Sequence, residues 1–411
     1  MAGVTPSNVL RSPSIAVAAR LGNFSYAIRN IVAEAQRVEA SGTRVRYLNV
    51  GNPPPFGFQP PAHMVDAVIR AMRDGENGYC PSPGIDPARE AVADEYTRRA
   101  WPVAADRVLI TAGTSEAIDL ALSALVDVDG EVLVPMPTYP LYTAVLAKLG
   151  ARARFYRTDA RHGWEPDFAH LEDAVTPATR ALVVIDPNNP TGAAYSIDAR
   201  RQLIAFAERH GLVILADEVY GDLAYDGPVA PIGSLEPDAP VLSFSSLSKG
   251  YVAPGWRTGW VAVGRSPRLD NLLAALKKLA DGRLCSTAPM QYAIPAALNG
   301  DRAHQAAFRA ALRARAQVTF DMLNAIPGIT CSAPAAAFYA MPKVDLPAGR
   351  TDEDYVLGLL RATGVLCVYG SGFGMPPADG FLRIVFLAPP DELREIYQLM
   401  GNFTAEYLAR S

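Results

Sequence analysis

The sequence predicts an α/β protein, with a large domain on a mostly parallel sheet covered by helices on both faces and a smaller α+β domain beside it. From about Arg107, short apolar runs alternate with amphipathic helical segments, the pattern of parallel strands joined by crossover helices. The strand-like runs lack polar alternation, as expected of strands buried on both faces. Beyond residue 300 the pattern changes to short strands interleaved with helices.

In chain order, strands are expected over 108–111, 131–135, 181–185, 212–216, 241–244 and 258–263, with helices over 115–126, 141–149 and 200–210. A long helix over 302–324 precedes short strands over 338–341, 365–368 and 382–386 and a helix over 352–362. The expected division is 1–48 as an amino-terminal arm and helix contributing to the small domain, 49–299 as the large domain, and 300–411 as the small carboxyl-terminal domain. Residues 53–61, dense in proline and aromatic side chains, read as an ordered binding loop.

With 411 residues, half of them hydrophobic, the chain can bury more than one core. A net charge of −4, with Lys and Arg dispersed, points away from nucleic acid and membrane surfaces. The apolar stretch at 15–19 is too short for a secretory core, and no window approaches the roughly 18 apolar residues of a spanning helix. A cytoplasmic protein is therefore expected. Cys80, Cys285, Cys331 and Cys367 form no CxxC pair, and His63, His162, His170, His210 and His304 show no ligand spacing on one face. No catalytic metal is expected.

The strongest local signal is SFSSLSKGYVAPGWRTG at 243–259. It sets Lys249 after a buried strand, where a desolvated amine can form a Schiff base. Standing alone, such a residue reads as a solvated loop lysine, so its companions decide. TAGTSEA at 111–117 lies between a strand and a helix and would aim the N–H groups of Gly113, Thr114 and Ser115 at an anion. Arg257 and Ser246 would add charge-assisted and hydroxyl partners; an ordinary helix cap is the alternative.

LVILADEVY at 212–220 places Asp217 at the carboxyl end of a strand, where crevices of open parallel sheets lie, although Asp217 or Glu218 could simply begin a solvated loop. Tyr220 is three residues on. DPNNPTG at 186–192 offers Asn189 as a second donor, or is only a turn. PMPTYPLY at 135–142 offers Tyr139 as a stacking ring or a core aromatic. In GFLRIVF at 380–386, Arg383 interrupts an apolar strand; a bidentate carboxylate partner fits it, as does a structural ion pair. An amine, an anion cradle, a carboxylate, phenol and amide donors and a stacking ring are together the parts that pyridoxal 5'-phosphate (PLP) requires.

In their order along the chain, TAGTSEA, PMPTYP, DPNNPTG, LADEVY, SLSK with Arg257, and FLRIVF resemble the class I and II aminotransferases, the fold type I PLP enzymes, from about Ser25 to the end. The resemblance implies a mostly parallel seven-stranded sheet in the large, PLP-binding domain. It makes Lys249 the cofactor lysine and general acid–base, with Asp217 at the ring nitrogen, Tyr220 and Asn189 at the 3-oxygen and Tyr139 on the ring. Gly113, Thr114, Ser115, Ser246 and Arg257 would hold phosphate, and Tyr79, in GYCPSPG, would reach the phosphate of a neighbouring subunit in a homodimer with shared sites. Arg383, Gly51, Asn189 and Tyr139 would contact substrate.

SYAIRNIVAEAQRVEASG, YLNVGNPPPFGF and VYGSGFG are most similar to the alanine aminotransferases of bacteria and archaea. That likeness implies ping-pong exchange between alanine or glutamate and pyruvate or 2-oxoglutarate. Ala336 stands where the family usually has glycine, and Ser245 and Ser246 where the subgroup tends to have Asn-Gly, leaving room for a specialised substrate. The alternatives are an aminotransferase of aromatic or specialised biosynthetic amino acids, a PLP lyase or oxidase on the same scaffold, and a PLP-binding regulator, against which the lack of a basic helix-turn-helix extension argues.

Overall fold

The computed structural model describes residues 15, 17–23 and 31–409. Residues 1–14, 16 and 24–30 of the amino-terminal arm, among them SYAIRN at 25–30, lie outside the described residues. The central sheet has eight strands: β1 (Val108–Thr111), β2 (Glu131–Met136), β3 (Arg152–Asp159), β4 (Glu165–Pro166), β5 (Thr179–Ile185), β6 (Val213–Asp217), β7 (Val241–Ser246) and β8 (Gly259–Val263). Their order is β1-β8-β7-β6-β5-β2-β3-β4. The expected mostly parallel sheet of seven strands is present, and the eighth is the two-residue β4.

β8 runs antiparallel to both its neighbours, and β4 pairs antiparallel with β3; the other pairings are parallel. Nearly every residue of β1, β2, β5, β6, β7 and β8 is buried, as strands sandwiched between helix layers must be. One side of the sheet packs Leu133, Leu182, Ile214 and Val241 with Tyr96, Trp101 and Phe206. The other packs Val134, Val183, Leu215 and Phe244 with Ile118, Leu122 and Leu276. β3 escaped the apolar-run criterion because RARFYRTD is half-exposed for most of its length, being covered by only one neighbour of full length.

A second group of elements is formed largely by the carboxyl-terminal residues. Leu382–Val385 is the middle strand of an antiparallel trio with Tyr339–Ala340 and Val368–Tyr369. The single strand expected over 365–368 is divided: Val365–Leu366 pairs in parallel with Arg46–Tyr47, while Val368–Tyr369 turns to Leu382–Val385. Buried Cys367 is the pivot. Helices Ala303–Asn324, Asp352–Thr363 and Pro390–Ala409 cover these strands. Asp352–Thr363 begins with a reciprocal cap between Thr351 and Asp354 and stops at Gly364, φ +75°, where a left-handed residue closes the last turn. Ile31, Ala35, Val38 and Leu48 share a core with Phe308, Leu359, Ile384 and Phe386.

The 53–61 loop corrects one expectation. It does not line the cavity described below: Phe58 packs on Phe308, ring centroids 4.4 Å apart, with the Arg315 guanidinium 5.1 Å above it. Its aromatic residues bury apolar area against the carboxyl-terminal core. Among the described residues no helix is long and apolar enough to cross a membrane, and no cluster of three or more His, Cys, Asp or Glu could hold a metal ion.

Candidate active site

The parallel strands end on one side of the sheet, where their orphan termini and the following loops enclose a cavity of about 410 Å³. Gly51, Thr114, Ser115, Tyr139, Asn189, Asp217, Tyr220, Ser246, Lys249, Arg257 and Arg383 all line it. Thr114, Asp217, Tyr220 and Lys249 meet because each ends or follows a parallel strand of the central sheet, whereas Arg383 enters from inside Leu382–Val385 of the antiparallel trio.

Lys249 follows β7, and its Nζ donates to the Gly51 carbonyl at 2.9 Å. Burial, then the cationic Arg383 and Arg257, lower its pKa to about 8, while Asp217 opposes the shift. An amine so placed has a sizeable neutral fraction just above neutral pH, which can act as nucleophile or base. Asp217 ends β6 and is 4% exposed. Burial is the main cause raising its pKa to about 7, and the Val219 N–H (3.5 Å) and Tyr142 hydroxyl (3.3 Å) only partly offset it. Glu218 faces elsewhere, accepting from the Ile232 N–H at 2.6 Å and from Ser243, so Asp217 alone offers its carboxylate to the cavity.

Helix Thr114–Leu125 points its amino terminus at the cavity. Gly113 precedes it with φ +81°, and a Cβ there would lie 2.4 Å from Arg257 Nη2. Glu116 accepts from the Ala112 N–H at 2.6 Å and is neutralised by Arg283 at 2.9 Å, so an anion at the free N–H groups of this helix end would meet no opposing charge. Gly113→Ala is expected to destabilise the fold by roughly 1–3 kcal/mol, the usual cost of a non-glycine residue held in a sparsely populated backbone region, and to displace Arg257. Urea unfolding and phosphate-dependent cofactor retention measure the two effects; unchanged values for both would show the turn to be permissive.

Arg383 is 2% exposed. Its Nη1 donates to Asn189 Oδ1 at 3.2 Å and its Nη2 to the Asn49 carbonyl. Its guanidinium lies between the faces of Tyr339 (5.0 Å) and Phe373 (4.7 Å). Because Asn189 Oδ1 serves Arg383, the Asn189 amide N–H groups are left for the cavity. Asn188 instead holds the loop, accepting from the Thr191 hydroxyl at 2.9 Å.

Tyr79 stands apart. It is 85% exposed and does not line the cavity of its own chain. Ala336 lies outside the lining too, and the left-handed residue is its neighbour Ala337, φ +56°, so the methyl at 336 brings no left-handed strain. Sequence reasoning missed Asn49, Ser248 and Tyr339 as lining residues. Asn49 lies two residues before Gly51 and Tyr339 within the 338–341 run, but nothing in their spacing sets them toward the cavity.

The model of the family described as aminotransferase class I and II matches residues 43–398. The chain belongs to the class I and II aminotransferases. The alanine aminotransferase of Mycobacterium tuberculosis is 38% identical over 97% of this chain and 94% of its own. The glutamate-pyruvate aminotransferase AlaA of Escherichia coli K12 is 36% identical over 94% and 97%. The solved alanine aminotransferase from Pyrococcus furiosus superposes with a TM-score of 0.92 at 36% identity, covering 95% of this chain and all of that one. This aminotransferase therefore has the fold type I architecture, and its family is PLP-dependent.

The cavity fits that cofactor on its own terms. Asp217 is a buried carboxylate in need of a cation, as a protonated ring nitrogen would be. The Thr114 hydroxyl and the Asn49 side-chain amide are buried with no hydrogen-bond partner among the described residues, and both line the cavity. Buried polar atoms are seldom left so.

Proposed function

We propose that this aminotransferase exchanges amino groups between small 2-amino acids of the alanine and glutamate type and 2-oxo acids such as pyruvate and 2-oxoglutarate. The carrying observation is one cavity holding a lysine of lowered pKa, a buried carboxylate and a buried arginine. The substrate class is supported by the names of the M. tuberculosis, E. coli and P. furiosus relatives. When bound, PLP supplies the electron sink that lets an amino acid lose its α-proton.

The chain's own residues do the rest. The N–H groups at Thr114 and Ser115, with Ser246 and Arg257, bind phosphate; Gly113, expected to join them, donates its own N–H to the Thr111 carbonyl at 2.7 Å and shapes the turn instead. Asp217 holds a proton on the ring nitrogen, Asn189 and Tyr220 donate to the 3-oxygen, and Tyr139 covers a ring face. Arg383 binds the substrate carboxylate beside Gly51, Asn189 and Tyr139, which orients the α-carbon toward Lys249. The Lys249 amine then takes the α-proton as base and returns a proton as acid. The two half-reactions share one site, so ping-pong kinetics are expected.

Residues 49–299 are proposed as the cofactor-binding domain, and 300–411 with the amino-terminal 1–48 as the small domain. A cytoplasmic homodimer is also proposed; exposed Tyr79, with Ile69 and Met72 exposed on the helix before it, supports a shared site.

A panel of amino donors and 2-oxo acceptors tests the reading. Parallel-line kinetics with alanine or glutamate are expected, and ammonia released without an acceptor would overturn it. Arg383→Lys keeps the charge and loses the planar fork, so KM for the amino acid should rise about 10- to 100-fold with a smaller change in kcat. An unchanged KM would remove Arg383 from carboxylate binding.

A further inference from the structure

Tyr220 and Tyr339 are buried side by side, their hydroxyl oxygens 2.7 Å apart. Tyr220 is held edge-on against Tyr339 (centroids 5.5 Å, 86°) and Phe338 (5.6 Å, 84°). Burial raises the Tyr220 pKa well above the ordinary value, so it stays a neutral phenol with one proton to give. At this oxygen separation one phenol donates to the other. If Tyr220 donates to Tyr339, it has no proton for an acceptor in the cavity; if Tyr339 donates, the Tyr220 proton is available there.

One feature favours Tyr339 as donor. The Arg383 guanidinium lies 5.0 Å over its ring and makes the phenol more acidic. Gly51 leaves space for its hydroxyl, since a Cβ at 51 would sit 2.4 Å from that oxygen. The charged and titratable groups around Tyr220 are Tyr339, Tyr139, Asp217 and Lys249, whose Nζ is 5.9 Å from the Tyr220 ring centre.

We propose that Tyr339 is a positioning residue that donates its phenolic proton to Tyr220 and thereby aims the Tyr220 proton at the 3-oxygen of the bound cofactor. The inference rests on the reading of Tyr220 given above. A donor at that oxygen favours its ionised form, and donation from Tyr339 makes Tyr220 a stronger donor.

The test is a spectrophotometric pH titration of the visible band of PLP bound to Lys249, in wild type and Tyr339→Phe. The midpoint is expected to rise by roughly 0.3–1 pH unit, the scale of one neutral hydrogen bond. A fall would mean that Tyr220 had been donating to Tyr339, and an unchanged midpoint that the contact is structural; either overturns the proposal. Tyr220→Phe should raise the midpoint further, and adding Tyr339→Phe to it should change nothing more, because Tyr339 acts through Tyr220; additive shifts would also overturn it. If Tyr339→Phe fails to fold, Tyr339→Leu, which also removes the hydroxyl, must give the same upward shift. Borohydride labelling of each protein separates the two levels: a label away from Lys249 defeats the assignment of the site, whereas a label on Lys249 with no upward shift defeats only the role of Tyr339.

Discussion

Lys249→Ala is expected to lower amino-group exchange by on the order of 10⁴-fold, the upper range for a positioned acid–base group. Lys249 is asked to hold the cofactor and to move the substrate proton. Its Nζ lies in the cavity against the Gly51 carbonyl, with a pKa brought down to about 8. Alanine removes both actions at once, and no other lysine lines the cavity. Borohydride reduction followed by peptide mapping should mark Lys249 in the wild type and nothing in the variant. A variant that kept turnover and the visible absorption of bound cofactor would end the assignment.

Asp217→Asn has the second largest expected effect. An amide of the same shape cannot hold a proton on the ring nitrogen by charge, and breaking a buried ion pair costs roughly 3–5 kcal/mol, or about 10²- to 10⁴-fold in kcat/KM. A loss of less than about tenfold would rule out a carboxylate–ring contact.

The same residue makes a pH prediction for the cofactor-free protein. Its folded pKa, about 7, stands above the unfolded value of 3.8, so the folded state binds more protons between those values. Asp217's contribution to stability is therefore full below about pH 4 and is lost as pH rises through 7. Cofactor-free Asp217→Asn should gain melting temperature relative to wild type as pH goes from 5 to 8. A constant difference would show that the carboxylate is not desolvated.

The strands β1, β2, β5, β6, β7 and β8 were legible because each is an apolar run with a helix-period segment or a turn motif beside it. β3 was not, since its outer position lets Arg152, Arg154 and Arg157 into the strand. The division at Cys367 was also hidden: VLCVY is one apolar run, and only pairing with two different partners separates it. Among site residues, Lys249, Asp217 and Arg383 were legible because a charge beside or within a buried strand needs a reason. Tyr339 was not, since an aromatic in a short strand looks the same whether it packs in a core or donates to a neighbour.

By itself, the order of motifs determined the family and the sheet and singled out candidate groups for a phosphate, a ring nitrogen and a carboxylate, because those are matters of residue type and of local strand-to-loop placement. Tertiary structure decided which of them meet and what they become. Burial moved Lys249 and Asp217 toward neutrality, the paired strands put Arg383 between Tyr339 and Phe373, and the 53–61 loop turned away from the cavity. Desolvation, ring stacking and hydrogen-bond direction depend on neighbours brought from elsewhere in the chain, and those neighbours exist only once the sheet and the carboxyl-terminal strands have packed.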